Sequence, residues 1–413
     1  MRRFLFAVLA LLLTVQPAHA FAVLAHEAIV DTAWDSAIRP LLLRRYPRLS
    51  ADGLVEAHSY AYGGSVIQDL GYYPFGNKFF SNLLHYTRSG DFIEAMIRDA
   101  HDANELAFAL GALAHYVADT TGHPQAVNPS VPLIFPKLAA RFGNDITYVE
   151  APKQHVITEF SFDIVQSAGG MYQPDAYRRF IGFRVAKPLL ERAFVETYGV
   201  EIKDVFPSED RAISTYRYAV SQIIPALTRA AWRDKQDEIS VLMPNVQQNS
   251  FVFNYRRIDF EREYGRDYTK PALFARFLGT IYRFVPKIGP LKPLSFKAPT
   301  PQAQAMFISA FKNAATRYRA AIDRVAAGQV ELRNTDFDTG REARHGEYAL
   351  ADETYAELLA KLAARQFDGV PNPLRRDVLA FYGQRPAPSA TSKDEQKHWD
   401  QVESHLIALR NQH

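Results

Sequence analysis

The sequence predicts an all-α protein. Segments 27–48, 49–70 and 91–121 repeat their apolar residues at helical spacing, and so do 174–197, 209–233, 301–327, 350–366, 373–383 and 393–410. Strand-like alternation is scarce. The clearest segment, "DANELAFALGALAHYVADTTGHP", carries Leu106, Leu110, Leu113 and Val117 as one stripe and Phe108, Ala112, His115 and Asp119 as a second. A helix that is apolar on two faces belongs at the centre of a core. Its small residues Gly111, Ala112 and Ala114 would let neighbouring helices approach closely.

Taken in order, residues 1–20, "MRRFLFAVLALLLTVQPAHA", read as a secretory signal peptide. Arg2 and Arg3 form the positive region, Phe4 to Val15 the apolar region, and Ala18-His19-Ala20 the small-x-small cleavage site. The apolar run is short for a membrane span. Cleavage at Ala20–Phe21 would deliver a soluble protein to the periplasm or the exterior. Residues 21–235 hold most of the helical segments and nearly all the candidate chemistry. Residues 236–300 are irregular and rich in aromatics and prolines, ending in "VPKIGPLKPLSFKAPTP", and read as a connector. Residues 301–413 return to helical periodicity as a C-terminal extension.

With 413 residues, 47% hydrophobic and 23% charged, the chain can bury a large core and is not of disordered composition. It has no cysteine, which excludes disulfides, a disulfide-linked partner and a lipid-anchoring cysteine. Charge is uneven: residues 21–160 carry 10 Lys/Arg against 15 Asp/Glu, while residues 161–413 carry 36 against 30. An acidic first part argues against a general nucleic-acid-binding surface and suits a domain that gathers cations.

"HYVADTTGH" sets His115, Asp119 and His123 at successive steps of four, and "HVITE" sets His155 and Glu159 four apart. Residues at i and i+4 share a helix face, so each pair can grip one ion. Imidazole nitrogen and carboxylate oxygen are zinc ligands, and a cysteine-free set suits catalytic zinc better than structural zinc. Between these motifs stand Asp69 in "VIQDLGYYPFG" and His85 in "NLLHY". A single HxxxD pair is common surface decoration, and a single buried histidine is more often a core residue than a ligand. Two consecutive steps on an apolar helix are different, because charge buried without a partner is costly.

The ordered set resembles the zinc-dependent phospholipase C superfamily, which includes bacterial phospholipases C, fungal single-strand nucleases and the N-terminal domain of GPI-specific phospholipase D. The resemblance covers roughly residues 21–160, with looser support to about 235. It implies an all-α domain around three Zn²⁺ ions. Asp69, His85, His115 and Asp119 would hold one ion, and His123, His155 and Glu159 a second. Phe21, His26 and Asp119 would hold the third, Phe21 through its free amine and carbonyl oxygen and Asp119 as a bridge. Two features depart from the pattern. Phe21 stands where familiar members have Trp, and three residues separate Asp119 from His123 where bacterial members have five. Gln125 stands at the longer spacing.

The resemblance further implies a phosphodiester hydrolase in which zinc-bound hydroxide attacks phosphorus in line, with Asp69 also orienting or deprotonating the water. The favoured substrate is a phospholipid or another phosphodiester. The alternatives are a single-strand nuclease or nucleotidase on the same site, and a non-catalytic metal-binding module. Nucleic acid is the weaker partner because of the acidic first part. The aromatic and basic stretch 274–296 reads first as a buried helix followed by a Pro-rich connector, and second as a peripheral membrane contact. Of the remaining polar residues, His58 reads as a helix-end hydrogen bond and His101 as solvated. "NTDFDTGR" (334–341) reads as a turn, since it lacks the closing Glu of an acidic calcium loop. His345, His398, His405 and His413 read as surface residues.

Overall fold

The computed structural model describes residues 23–73, 75–168, 184–220, 296–383 and 392–412, with a few positions between 232 and 240. Phe21, the leader 1–20 and nearly all of the 236–300 connector, including 274–295, lie outside the described residues. What is described is helical, with no strand among the described residues and one isolated bridge, Thr335 to Glu342. None of the described helices is long and apolar enough to cross a membrane.

The first half comprises α1 (Val23–Ala33), α2 (Arg39–Arg45), α3 (Ala51–Val66), α4 (Lys78–Tyr86), α5 (Ser89–Arg98) and α6 (Ala103–Gly122). Then come α7 (Asn128–Ile134), α8 (Pro136–Phe142), α9 (Pro152–Ala168), α10 (Lys187–Tyr198), α11 (Ile202–Val205) and α12 (Glu209–Tyr218). The extension supplies α13 (Pro301–Ala326), α14 (Ala349–Ala364), α15 (Asn372–Gly383) and α16 (Lys393–Arg410). Its helices share one continuous apolar core with those of the first half.

α6 is the axis of that core. Every residue from Leu106 to Gly122 is buried, as its two apolar stripes require. The Asp102 carboxylate caps it by accepting from Glu105 N at 2.8 Å, so the predicted segment 91–121 divides into α5 and α6 at this cap. α3 packs against α6 almost backbone to backbone. A Cβ at Gly111 would lie 1.9 Å from the Ala61 carbonyl, and one at Gly64 1.8 Å from the Phe108 carbonyl. Only hydrogen fits at either crossing point. From the other side α13 lies along α6, with Tyr318 Oη donating to Leu110 O at 2.9 Å.

Departures from the predicted elements have local causes. The predicted helix 49–70 ends at Val66 and continues as a tighter 3₁₀ turn, Ile67–Tyr72, which carries Asp69. The predicted helix 174–197 is helical only from Lys187 within its described part. Pro188 occupies its first turn, and residues 184–186 run over α3, with Arg184 N donating to Ser59 O at 3.0 Å. α1 passes into α2 through a wide π-type turn, Trp34–Ile38, and α6 passes into α7 through another, His123–Val127, with Pro124 inside it. A proline has no N–H for the α-helical ladder, so the turn there widens.

The α3–α6 contact is testable. Gly111→Ala would set a methyl against a backbone carbonyl that cannot swing away, at a cost of about 3 kcal/mol. The expected result is a markedly lower thermal midpoint; an unchanged midpoint would show that the two helices can separate freely.

Candidate metal centre

The sequence-predicted site residues within the described part converge at one end of α6. His115, Asp119 and His123 lie on neighbouring ridges, because each four-residue step advances about 40° around a helix. His115 faces α1, α3 and α4, His123 faces α9, and Asp119 lies between them.

His115 Nδ1 donates to the Ser65 carbonyl of α3 at 2.8 Å, a bond that the glycine crossing makes possible. Its Nε2 stands 3.1 Å from Asp119 Oδ2 and 3.4 Å from His85 Nε2. His85 on α4 is held in the same manner: Nδ1 donates to Ser81 O at 2.8 Å, and Nε2 lies 3.5 Å from Asp69 Oδ1 and 3.6 Å from Asp119 Oδ2. His26 on α1 stacks on the His115 ring at 4.0 Å, and its Nε2 is 3.4 Å from the other Asp119 oxygen, Oδ1. The two Asp119 oxygens thus face different partners. On the far side His155 Nε2 is 2.8 Å from Glu159 Oε1, and the His123 and His155 rings are 4.9 Å apart.

Three groups result in which ligand atoms lie within 4.8 Å of one another: His26, Asp69 and His115; His85, His115 and Asp119; and His123, His155 and Glu159. All of these side chains are buried. The grouping differs from the expected one: Asp69 stands with His26 and His115 rather than in the group of His85, His115 and Asp119, and His26 is grouped with Asp69 and His115 rather than with Asp119. Gln125, at the longer spacing, turns away and accepts from Asn313 Nδ2 at 2.9 Å, so His123 is the residue brought to His155 and Glu159.

The chemistry of this set suits a cation. The four carboxylate oxygens of Asp119 and Glu159 are buried without a well-formed hydrogen bond, and imidazole nitrogens face them. Such a set costs free energy as it stands and is satisfied by a divalent ion. Nitrogen and oxygen donors with no thiolate fit zinc.

Residues 25–207 match the family model described as zinc dependent phospholipase C. Over this stretch, a little under half of its length, the chain is similar to the zinc-dependent phospholipase C family. Comparisons with curated proteins and with solved structures gave no match. The all-α fold is that of the family, and the His, Asp and Glu groups are compatible with its zinc. Every candidate ligand from His26 to Glu159 falls inside the matched stretch, while Phe21 precedes it.

Other expectations are corrected. His58 is not at a helix end: it sits in the middle of α3, stacked on Trp34 at 3.8 Å and paired with Asp31 Oδ1 at 2.8 Å, away from the metal groups. His345 is buried, packed against Phe381, Tyr382 and Trp399 rather than on the surface. The turn at 334–341 is a turn, but it reaches the family-matched stretch: Asp338 Oδ1 lies 2.8 Å from His123 Nδ1. No local signal in the sequence marks Asp338. Asp163 did have one, since it extends the His155–Glu159 series by four. Its carboxylate accepts from Leu24 N at 2.8 Å and Ala25 N at 3.0 Å, which pins the start of α1 to α9.

The protonation states follow from burial and neighbours. Burial lowers the His115 pKa, but the Asp119 and Asp69 carboxylates outweigh it and raise it to about 9. Burial would raise Asp119, but His115 and His26 hold it below the ordinary carboxylate value. Burial and the neighbouring His123 push His155 down to about 3, and burial with Asp119 and Asp69 raises Glu159 well above its ordinary value.

Zinc must therefore displace a proton from His115 at neutral pH. Below pH about 9 affinity at its groups should fall by up to about tenfold per pH unit for that proton. Zinc titration at pH 7 in two buffers of different ionisation enthalpy should show net proton release, whereas a zinc affinity flat between pH 6 and 9 would contradict the protonated state.

Proposed function

We propose that this protein is an exported zinc-dependent phosphodiester hydrolase of the phospholipase C type. The observation that carries this reading is the set of three adjoining ligand groups, built around His115, Asp119 and His123 inside the family-matched stretch. Bound zinc would lower the pKa of water and draw charge from the phosphoryl oxygens.

The chain's own residues would divide the work. Ser65 and Ser81, through their carbonyls, hold Nδ1 of His115 and His85, which would leave Nε2 of each free to face an ion. Asp119, with its oxygens turned two ways, would join two ions. Asp69, buried beside His85, would orient the attacking water and accept its proton. Asp163 holds α1 close to its start, and Phe21, two residues earlier in the sequence, would complete the ion held with His26 through its free amine and carbonyl. Signal removal would then create a ligand as well as release the protein. A phospholipid is the favoured phosphodiester; contact of 274–296 with a lipid surface is only the second reading of that segment. The acidic balance of residues 21–160 opposes binding of a long polyanion.

Mature protein starting at Phe21, supplied with zinc, should hydrolyse phosphatidylcholine or a GPI-type lipid faster than single-stranded DNA. The reverse order would make it a nuclease on the same site, and no hydrolysis with zinc bound would make it a metal-binding module. His115→Ala, which removes a ligand from two groups, should lose activity on the order of a thousandfold or more, since metal polarisation is worth several kcal/mol. Full activity in that variant, with folding retained, would defeat the site assignment. One extra Met before Phe21 should weaken one zinc ion selectively, as read by elemental analysis after dialysis; full retention would remove Phe21 from the ligand set.

A further inference from the structure

The loop 332–341 belongs to the C-terminal extension, outside the family-matched stretch, yet it is stitched to that stretch along its length. The Glu94 side chain accepts from Leu332 N. Ser89 Oγ donates to Thr335 O at 2.7 Å and accepts from Thr335 N at 3.0 Å. Phe337 N donates to His85 O at 3.2 Å, and the Phe337 ring lies 4.9 Å from the His85 ring and 5.9 Å from the His115 ring. Gly340, at φ +69°, lets the chain turn beneath the Thr120 carbonyl, which a Cβ would approach to 2.9 Å.

This stitching carries Asp338 to one atom of the metal centre. Its Oδ1 is 2.8 Å from His123 Nδ1. Its Oδ2 accepts from Tyr86 Oη at 3.0 Å and from Tyr348 Oη. Its own backbone is held on both sides, N donating to Asp336 Oδ1 at 2.8 Å and O accepting from Asn128 Nδ2 at 2.7 Å. Oδ2 is hydrogen-bonded and Oδ1 lies close against His123 Nδ1 without a well-formed hydrogen bond, and Asp338 does not belong to any of the three ligand groups. His115 and His85 take their orienting acceptors from carbonyls within the family domain, at Ser65 and Ser81. The carboxylate beside His123 Nδ1 comes from the extension.

We propose that Asp338 is the positioning residue of the His123–His155–Glu159 site: it accepts the Nδ1 proton of His123 and so presents Nε2 to the ion. The C-terminal extension is then a working part of the metal centre. This rests on the zinc reading above. A carboxylate behind a metal-bound imidazole fixes its tautomer and ring orientation and makes it more basic, and its loss weakens metal binding ten- to a hundredfold.

The test is a zinc competition titration of the full mature chain against a chromogenic chelator. Asp338→Asn should bind one of the wild-type ions ten- to a hundredfold more weakly, and it should be the ion that His123→Ala loses. The other ions should keep their affinity. Tyr348→Phe, which keeps the Asp338–His123 bond but loosens the carboxylate, should show a smaller loss at that same ion and decides the matter if Asp338→Asn does not fold. Ser89→Ala removes a tether of the loop far from His123; it should lower the thermal midpoint and leave every zinc affinity in place. Unchanged zinc affinities in Asp338→Asn with a lower midpoint would reduce Asp338 to a loop anchor and overturn the proposal. Equal weakening of all ions in Asp338→Asn and Ser89→Ala would overturn it too. If the wild-type chain bound no zinc, it is the metal-centre reading itself that would fail.

Discussion

Asp69, Asp119 and Glu159 are buried among helices, and most of what faces them is imidazole nitrogen. Several kcal/mol per ion are lost when a charge leaves water without full compensation, and a carboxylate facing an unprotonated imidazole nitrogen gains no hydrogen bond. The architecture is organised by this constraint. The His155–Glu159 side relieves it by giving up charge, with Glu159 raised and His155 lowered, whereas the His115–Asp119 side keeps charge on both partners. A divalent cation would relieve both at once.

Holding such a cluster rigid requires that the imidazoles cannot turn away. The glycine crossing of α3 and α6 supplies the first part of the answer, because the close approach lets the Ser65 carbonyl reach His115 Nδ1. α4 supplies the second through its own Ser81 carbonyl, which holds His85 from within one helical turn. α9 supplies the third. It carries His155 and Glu159 and, one step further along, Asp163, which clamps the start of α1 and with it the approach to His26. The extension closes the ring by placing Asp338 behind His123.

His123 shows how a short motif and a distant loop cooperate. The Pro124 turn ends the α-helical ladder of α6 just past His123, which sends the chain into α7 and toward α9. Gln125, two residues further, is carried out to Asn313 on α13 instead. The helix end therefore selects which side chain meets His155 and Glu159. The charged partner behind that side chain comes from a turn that is sequence-remote and packed in place by Phe337, Tyr86 and Tyr348.

Much of this was legible in the sequence, and the reason is periodicity. Helical spacing identifies α6 as a buried axis, places His115 with Asp119 and His155 with Glu159 on shared faces, and marks Gly111 as a site of close approach, all because these are relations within one helix. The C-terminal helices α13 to α16 were predicted nearly residue for residue for the same reason. The family's ligand order then supplied His26, Asp69 and His85, whose own surroundings carry little signal. Tertiary structure alone decided which acceptor stands behind each histidine: a carbonyl on a neighbouring helix for His115, and for His123 a carboxylate from a turn outside the family domain. Such contacts join positions with no fixed spacing, so no pattern along the chain encodes them. They exist only once the helices have packed and the loop at 332–341 has been drawn onto them.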